Sequence, residues 1–256
     1  MDHAKGKYVI FLDSDDILYP GALNKLVDYA EKHKLDMVIG KTLRHYVSKN
    51  KDEDWYPGVT VNTYVNTRKS RFHVIDDTIA TGKLYSLDML RKNNIQFQDG
   101  LYEDVLFTGQ LYALLDEIGV IHRKIQIWMV YGTGTSITTS NTLDNVKARM
   151  KNVNYIFGLH DEITKVYYTR QYIRHQMVAS VNGYKNFTDE EKRELYDLLR
   201  EGMLMREPYV VDQMIIVPSK KLLYQSLLAD DFEKFDLVAE GFSEKYFAFH
   251  EKEEQA

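Results

Sequence analysis

Five consecutive apolar residues, Tyr8-Val9-Ile10-Phe11-Leu12, run without a break into Asp13-Ser14-Asp15-Asp16. An unbroken apolar run of this kind reads as a strand buried on both faces, as in a parallel sheet. Pro20-Gly21 then punctuate the chain, and Ala22, Leu23, Leu26, Val27 and Ala30 follow at helical spacing. Residues 36–40 read as the next strand. A β-loop-α-β unit marks an α/β domain, whose ligands bind outside the carboxyl ends of its strands. The acidic cluster sits at such an end. Its carboxylates repel one another unless a cation or strong donors offset the charge. Carboxylate oxygens suit Mg²⁺ or Mn²⁺, and such an ion would bridge the protein to a diphosphate and stabilise charge on a departing nucleotide. The plainer reading is an Asp-rich turn capping the next helix.

Composition narrows the class. A hydrophobic content of 44% over 256 residues supports a substantial core, and a net charge of −5 gives no general attraction to nucleic acid or anionic lipid. The absence of cysteine rules out a disulfide framework and thiolate metal sites, and fits a cytoplasmic protein. No apolar run reaches the ~20 residues of a membrane helix. Further along, residues 48–55 read as a charged surface loop, 86–93 as a short helix, 101–115 as a longer helix and 120–131 as two short strands. After 141 glycine becomes sparse, and helices are expected over 143–165, 167–184, 189–205 and 219–228, the third opened by the capping box Thr188-Asp189-Glu190-Glu191. The division is therefore 1–140, a sheet domain, and 141–256, a mainly α-helical region with a frayed acidic end.

Three segments carry a resemblance. Ala4-Lys5-Gly6-Lys7-Tyr8-Val9-Ile10-Phe11-Leu12-Asp13-Ser14-Asp15-Asp16 resembles the Asp-x-Asp segment of the family 2 glycosyltransferases of GT-A fold. Lys83-Leu84-Tyr85, then Leu90-Arg91-Lys92-Asn93-Asn94-Ile95-Gln96-Phe97, then Tyr102-Glu103-Asp104 resembles the stretch leading to that family's Glu-Asp pair. The order and separation are similar to those of bacterial members that build capsular polysaccharide or decorate wall teichoic acid. Tyr131-Gly132-Thr133-Gly134-Thr135-Ser136-Ile137-Thr138 resembles the loop that folds over the diphosphate.

The resemblance implies a partial GT-A (Rossmann-like) domain and a metal-dependent, inverting sugar transfer using Mn²⁺ or Mg²⁺. By it, Asp15 is the main metal ligand, with Asp13 and Asp16 in support. Asp13, Lys83, Thr135 and Ser136 are candidates for contact with the donor. Asp104 is the general base and Glu103 its secondary neighbour, since a sugar hydroxyl is a poor nucleophile until its proton is removed. The implied donor is a nucleotide-diphosphate sugar, a UDP-sugar first, and the acceptor a hydroxyl of a cell-surface glycan precursor or a polyol phosphate. The resemblance covers roughly residues 1–140 and begins in the middle of the family pattern, so a nucleotide-binding half of about a hundred residues is expected to be missing. The strand at 8–12 would then present an unpaired edge, open to a homo-oligomer or another chain.

Each feature also has a plainer reading. Glu103 and Asp104 would favour any helix N-terminus through its dipole. Lys83 reads more simply as an exposed structural lysine, and Asp76-Asp77 as a loop or cap. His122, His160 and His175 read as surface or boundary residues. The basic aromatic run 165–174 admits peripheral contact with the inner face of a membrane, or a helix packing its Tyr and Ile face inward, which is simpler. Two rival functions are a haloacid-dehalogenase-like phosphatase, whose first motif is also a strand followed by Asp-x-Asp, and a non-catalytic truncated domain acting in assembly.

Overall fold

A computed structural model describes residues 1, 3–55, 62–131, 142–211 and 216–254, with side chains as far as residue 245. The chain divides into two compact units, residues 1–134 and 135–256.

The first unit contains, in chain order, β1 (Tyr8–Ile10), β2 (Ile17–Leu18), α1 (Ala22–His33), β3 (Met37–Tyr46), β4 (Lys51–Asp54), β5 (Tyr64–Thr67), β6 (Lys83–Ser86), α2 (Leu87–Lys92), α3 (Glu103–Leu114) and β7 (Glu117–Val130). The strands form one mixed sheet in the order β1-β6-β3-β7-β2, with β4 added to β3 and β5 to β7. β3 and β7 run parallel, from Val38 beside Gly119 to Tyr46 beside Val130. β6 is antiparallel to both β1 and β3, so β1, β3 and β7 share one direction. Their carboxyl ends therefore open onto one side of the sheet.

The helical spacing read from the sequence puts Ala22, Leu26 and Ala30 on the buried face of α1, against Leu35, Val38, Leu84, Ile121 and Ile125. Leu26 and Ala30 keep no exposure, and a leucine so placed contributes about 2 kcal/mol through apolar burial. Lys34 in the left-handed region (φ 55°) ends the helix.

Several sequence expectations are corrected. β1 spans three residues, all only half-buried, because it pairs with β6 alone among the described residues and lies at the sheet margin. Burial on both faces is thus not found. The strand expected at 36–40 runs on to Tyr46, and the expected loop at 48–55 contains β4, which pairs with it. The two strands expected at 120–131 are one fourteen-residue strand, β7, that absorbs a register shift against β3 near Lys41.

The second unit is helical: α4 (Leu143–Leu159), α5 (Glu162–Gln171), a π turn (Tyr172–Gln176), α6 (Met177–Ser180), α7 (Asp189–Leu204), α8 (Pro218–Leu228) and α9 (Phe232–Glu254). The single helix expected at 143–165 is two, because His160 is extended and Asp161 accepts the Thr164 amide at 2.8 Å as a new N-cap. The helix expected at 167–184 is instead the continuation of α5 through the π turn into α6. The capping box at Thr188 and Glu191 forms as expected. α9 was missed by the sequence reading. Tyr172 and Ile173 point into the core, and Lys165 pairs with Glu162 at 2.9 Å. Arg206 is buried between Phe157 and Tyr172, 4.3 and 4.1 Å from the ring centres, and donates to Asn154 and the Gly202 carbonyl. A Cβ on Gly202 would stand 2.4 Å from the Tyr172 hydroxyl, so only glycine admits this packing. Among the described residues no helix is long and apolar enough to cross a membrane.

Candidate active site

The acidic turn follows β1 at the carboxyl end it shares with β3 and β7. The Asp16 amide donates to the Asp13 carbonyl at 3.1 Å, closing the turn. The Asp16 carboxylate faces the sheet, accepting from the Gln126 side-chain amide and from the Met129 backbone amide at 3.0 Å. Asp16 therefore fastens the turn to β7. Asp13 and Asp15 remain exposed, and Asp15 has no hydrogen-bond or ion-pair partner among the described residues. Partial burial, then the charges of Asp15 and Glu103, push the Asp13 carboxyl above its usual range.

Helix α3 brings the second carboxylate pair to the same place. Tyr102, at φ 61° and ψ 34°, holds the left-handed conformation and starts the helix abruptly, so that Glu103 and Asp104 occupy its first turn. That conformation is uncommon for a residue with a side chain and is a local strain. One turn further on, Phe107 packs edge-on to Phe11 at 5.6 Å, stacks on Phe97 at 4.4 Å and meets Tyr85 at 5.3 Å. Phe11 lies two residues before Asp13, so this aromatic cluster ties the acidic turn to the start of α3. Burial raises the Asp104 carboxyl to about 6; the Ala80 amide and Lys83 oppose the rise, and Glu103 and Asp13 add to it. Asp13 acts on Asp104 and Glu103 acts on Asp13, which places the two motif segments in one electrostatic environment.

Behind Asp104 lies a polar assembly that sequence reasoning did not foresee. Lys83 is buried, not exposed: its ammonium pairs with Asp77 at 3.0 Å and donates to the carbonyls of Ile79 at 2.5 Å and Thr81 at 3.5 Å. This corrects both readings of Lys83, since the ammonium is committed inward and is not presented to a donor. Asp77 lies in a loop, as expected, but its carboxylate is buried. It accepts from the Trp55 indole at 3.0 Å, and its carbonyl accepts from Tyr112 at 2.6 Å. The signal was present in the lysine itself, set among apolar residues at the start of a strand, because such a charge is buried only when paired. Gly82 permits the close approach: its φ is +70°, and a Cβ there would stand 2.3 Å from the Thr42 hydroxyl.

Among the described residues no three His, Asp or Glu side chains converge into a complete protein cage for a metal. Asp13 and Asp15 nevertheless fit a hard cation, because Mg²⁺-type ions take one or two carboxylates and complete their shell with water and substrate phosphates. Burial first, then the like charges of Asp15 and Glu103, raise the Asp13 carboxyl, and a cation there would relieve the latter. Each Asp16 oxygen already accepts one hydrogen bond, from Gln126 or Met129, so this carboxylate holds the turn to β7. Thr135 and Ser136 lie outside the described residues.

A mixed sheet with two carboxylate clusters gathered at the carboxyl ends of its parallel strands is the arrangement of a GT-A glycosyltransferase. Residues 1–93 match the family described as Glycosyl transferase family 2. Over 97% of its length the chain is 21% identical to the poly(ribitol-phosphate) beta-N-acetylglucosaminyltransferase TarS of Staphylococcus aureus, and it spans 44% of that protein. It is 31% identical over 111 residues to the poly(ribitol-phosphate) beta-N-acetylglucosaminyltransferase TarP of Staphylococcus aureus, covering 41% of this chain and 32% of that one. The fold is shared with the crystal structure of S. aureus TarS 1-349 in complex with UDP, at a TM-score of 0.66 and 19% identity, over 95% of this chain and 69% of that one. The chain thus spans less than half the length of TarS itself, and the phosphatase reading is set aside.

Proposed function

We propose that this chain carries the diphosphate-side carboxylates and the general base of an inverting glycosyltransferase that moves a sugar from a nucleoside-diphosphate donor to a hydroxyl of a polyol-phosphate or glycan acceptor. One observation supports it most: the charge of Asp13, far away in sequence, acts on Asp104, and the half-buried Asp104 carboxyl stands at about 6. A carboxylate with that affinity is largely ionised at neutral pH yet a far better proton acceptor than an exposed one. In this reading Asp104 takes the proton of the attacking hydroxyl as its oxygen bonds to the anomeric carbon. The bond from that carbon to the diphosphate breaks on the opposite face, the nucleoside diphosphate carries off the electron pair, and the configuration inverts. Asp13 and Asp15 would hold a divalent cation, Mn²⁺ or Mg²⁺, which supplies charge stabilisation for the leaving diphosphate. Glu103, exposed beside Asp104, supports its carboxyl by like charge. A UDP-sugar donor is favoured by the UDP in the TarS crystal structure, and a polyol-phosphate acceptor by the names of TarS and TarP.

The test is sugar transfer from UDP-sugars to a ribitol-phosphate oligomer by the protein in its full-length form. Asp104→Asn should lower turnover at least about a hundredfold while UDP binding persists. Turnover surviving in Asp104→Asn and lost in Glu103→Gln would exchange the two roles.

A further inference from the structure

One face of the sheet carries Thr42 and Arg44 from β3 beside their register partners Gln126 and Trp128 from β7. Trp55 closes over the same face: the Arg44 guanidinium lies 3.9 Å from the Trp55 ring centre and 4.7 Å from that of Trp128, and the two indoles meet edge-on at 5.0 Å. The stack places the guanidinium against both rings, and its charge is felt by the Glu53 carboxylate without a direct bond to it. Of the neighbouring basic side chains on β3 and β4, Lys41 pairs with Asp54 at 2.6 Å, His45 meets Asp52 at 2.7 Å, and Lys51 pairs with Glu53 at 2.7 Å. Glu53 is the cross-strand neighbour of Arg44, yet its carboxylate is bonded to Lys51. Arg44 makes no hydrogen bond or ion pair among the described residues, and its Nε is buried without an acceptor. A half-buried guanidinium packed against two indoles, with its donors unused among the described residues, is placed for bidentate binding of an oxyanion.

The location points to the occupant. Arg44 and Trp128 lie toward the carboxyl ends of the parallel strands, where α/β sheets bind ligands. The Trp55 indole donates to Asp77, whose partner Lys83 acts on Asp104. The stack is thereby linked to the base, where the attacking hydroxyl must arrive, and on its other side β7 holds the acidic turn through Asp16. We propose that Arg44, clamped by Trp55 and Trp128, binds a phosphate of the acceptor, a phosphodiester-linked polyol chain, and so sets which hydroxyl reaches Asp104. The phosphate takes the guanidinium, and the indole edges offer apolar surface to the polyol carbons. This site rests on the glycosyltransferase reading.

Trp55 and Trp128 are the only two tryptophans of the chain, so its intrinsic indole fluorescence reports this site directly. The full-length protein is titrated, without donor turnover, with a ribitol-phosphate oligomer, with free ribitol and with UDP plus Mn²⁺ in separate arms. If the protein outside this chain contains further tryptophans, each is first replaced by phenylalanine. The oligomer should give a saturable change that weakens with salt, and ribitol none. Arg44→Met should weaken the oligomer at least tenfold, Arg44→Lys less, with UDP affinity by calorimetry unchanged. An oligomer response equal in wild type and Arg44→Met overturns the site, including the case in which Arg44→Met only lowers the unfolding temperature. A response to UDP that depends on Arg44, with none to the oligomer, also overturns it and assigns the guanidinium to the donor. Because the titration needs no chemistry, absence of sugar transfer counts against the glycosyltransferase reading, whereas an Arg44-independent titration counts against this site alone.

Discussion

Asp77 and Lys83 form an ion pair at 3.0 Å in which the side chains keep only 6% and 1% of their exposure. Burial alone lowers the lysine's affinity for its proton, and Asp77, then Asp104, pull it back. The pair is tolerated because its remaining valences are satisfied by the Ile79 carbonyl and the Trp55 indole. Breaking such a pair from one side strands a buried charge and costs about 3–5 kcal/mol. Lys83→Met should therefore lower the unfolding free energy by about that amount in urea titration, and Asp77→Asn on top of it should restore part of the loss. If Lys83→Met is neutral in stability, the pair is not the anchor described above.

The pH dependence of Asp104 follows from its sign. Its folded value of about 6 lies above the ordinary 3.8. The group thus favours folding in acid; that contribution is complete below the unfolded value and is lost as the pH rises through about 6. At pH 8 the ionised, half-buried carboxylate is a burden, so Asp104→Asn should be more stable than wild type by about 1–2 kcal/mol there. At pH 4 the difference should vanish. Thermal unfolding across that range checks it, and a variant less stable at pH 8 would contradict the burial argument. In the same protein the acid limb of the activity profile should fall near pH 6, and Lys83→Met, which removes an opposing cation, should move it upward.

Asp15 and Asp16 are adjacent but should fail differently. Asp16 holds the turn to β7 through Gln126 and Met129, and hydrogen bonds to a charged group are worth about 1.5–3 kcal/mol. Asp16→Ala should thus lower stability by roughly 2 kcal/mol. Asp15, exposed and unbonded among the described residues, should change it by less than about 0.5 kcal/mol when replaced by alanine, while Mn²⁺-dependent UDP binding is lost. Calorimetry on both variants separates the roles; unchanged Mn²⁺-dependent binding in Asp15→Ala would remove the metal assignment.

Much of this was legible before any coordinates. The helical spacing of Ala22, Leu26 and Ala30, the capping box at Thr188 and Glu191, and the short helix after Ser86 all follow from local preferences and recur in the structure. What failed depends on neighbours. The apolar run at Tyr8 suggested burial on both faces, but whether a strand lies inside a sheet or at its margin is set by which strands pair with it. Residues 48–55 read as a loop because their charges suit solvent, yet β4 pairs against β3, where Asp54 meets Lys41 and Asp52 meets His45 across the ladder. His160 divided a helix that periodicity alone left continuous.

By itself the sequence determined the α/β character of the first part, the helical character of the second, and the two acidic segments, because strand, helix and motif signals are properties of consecutive residues. It could not determine what each charge does. Asp13, Asp15 and Asp16 are equivalent in composition, and only the reach of Gln126 and Met129 makes Asp16 a fastening. Lys83 and Asp77, Arg44 and the two tryptophans, and Phe11 and Phe107 meet only after the sheet has formed. Whether a charge is satisfied, buried or left free is decided by the surfaces that packing brings against it, and those surfaces come from segments distant in the chain.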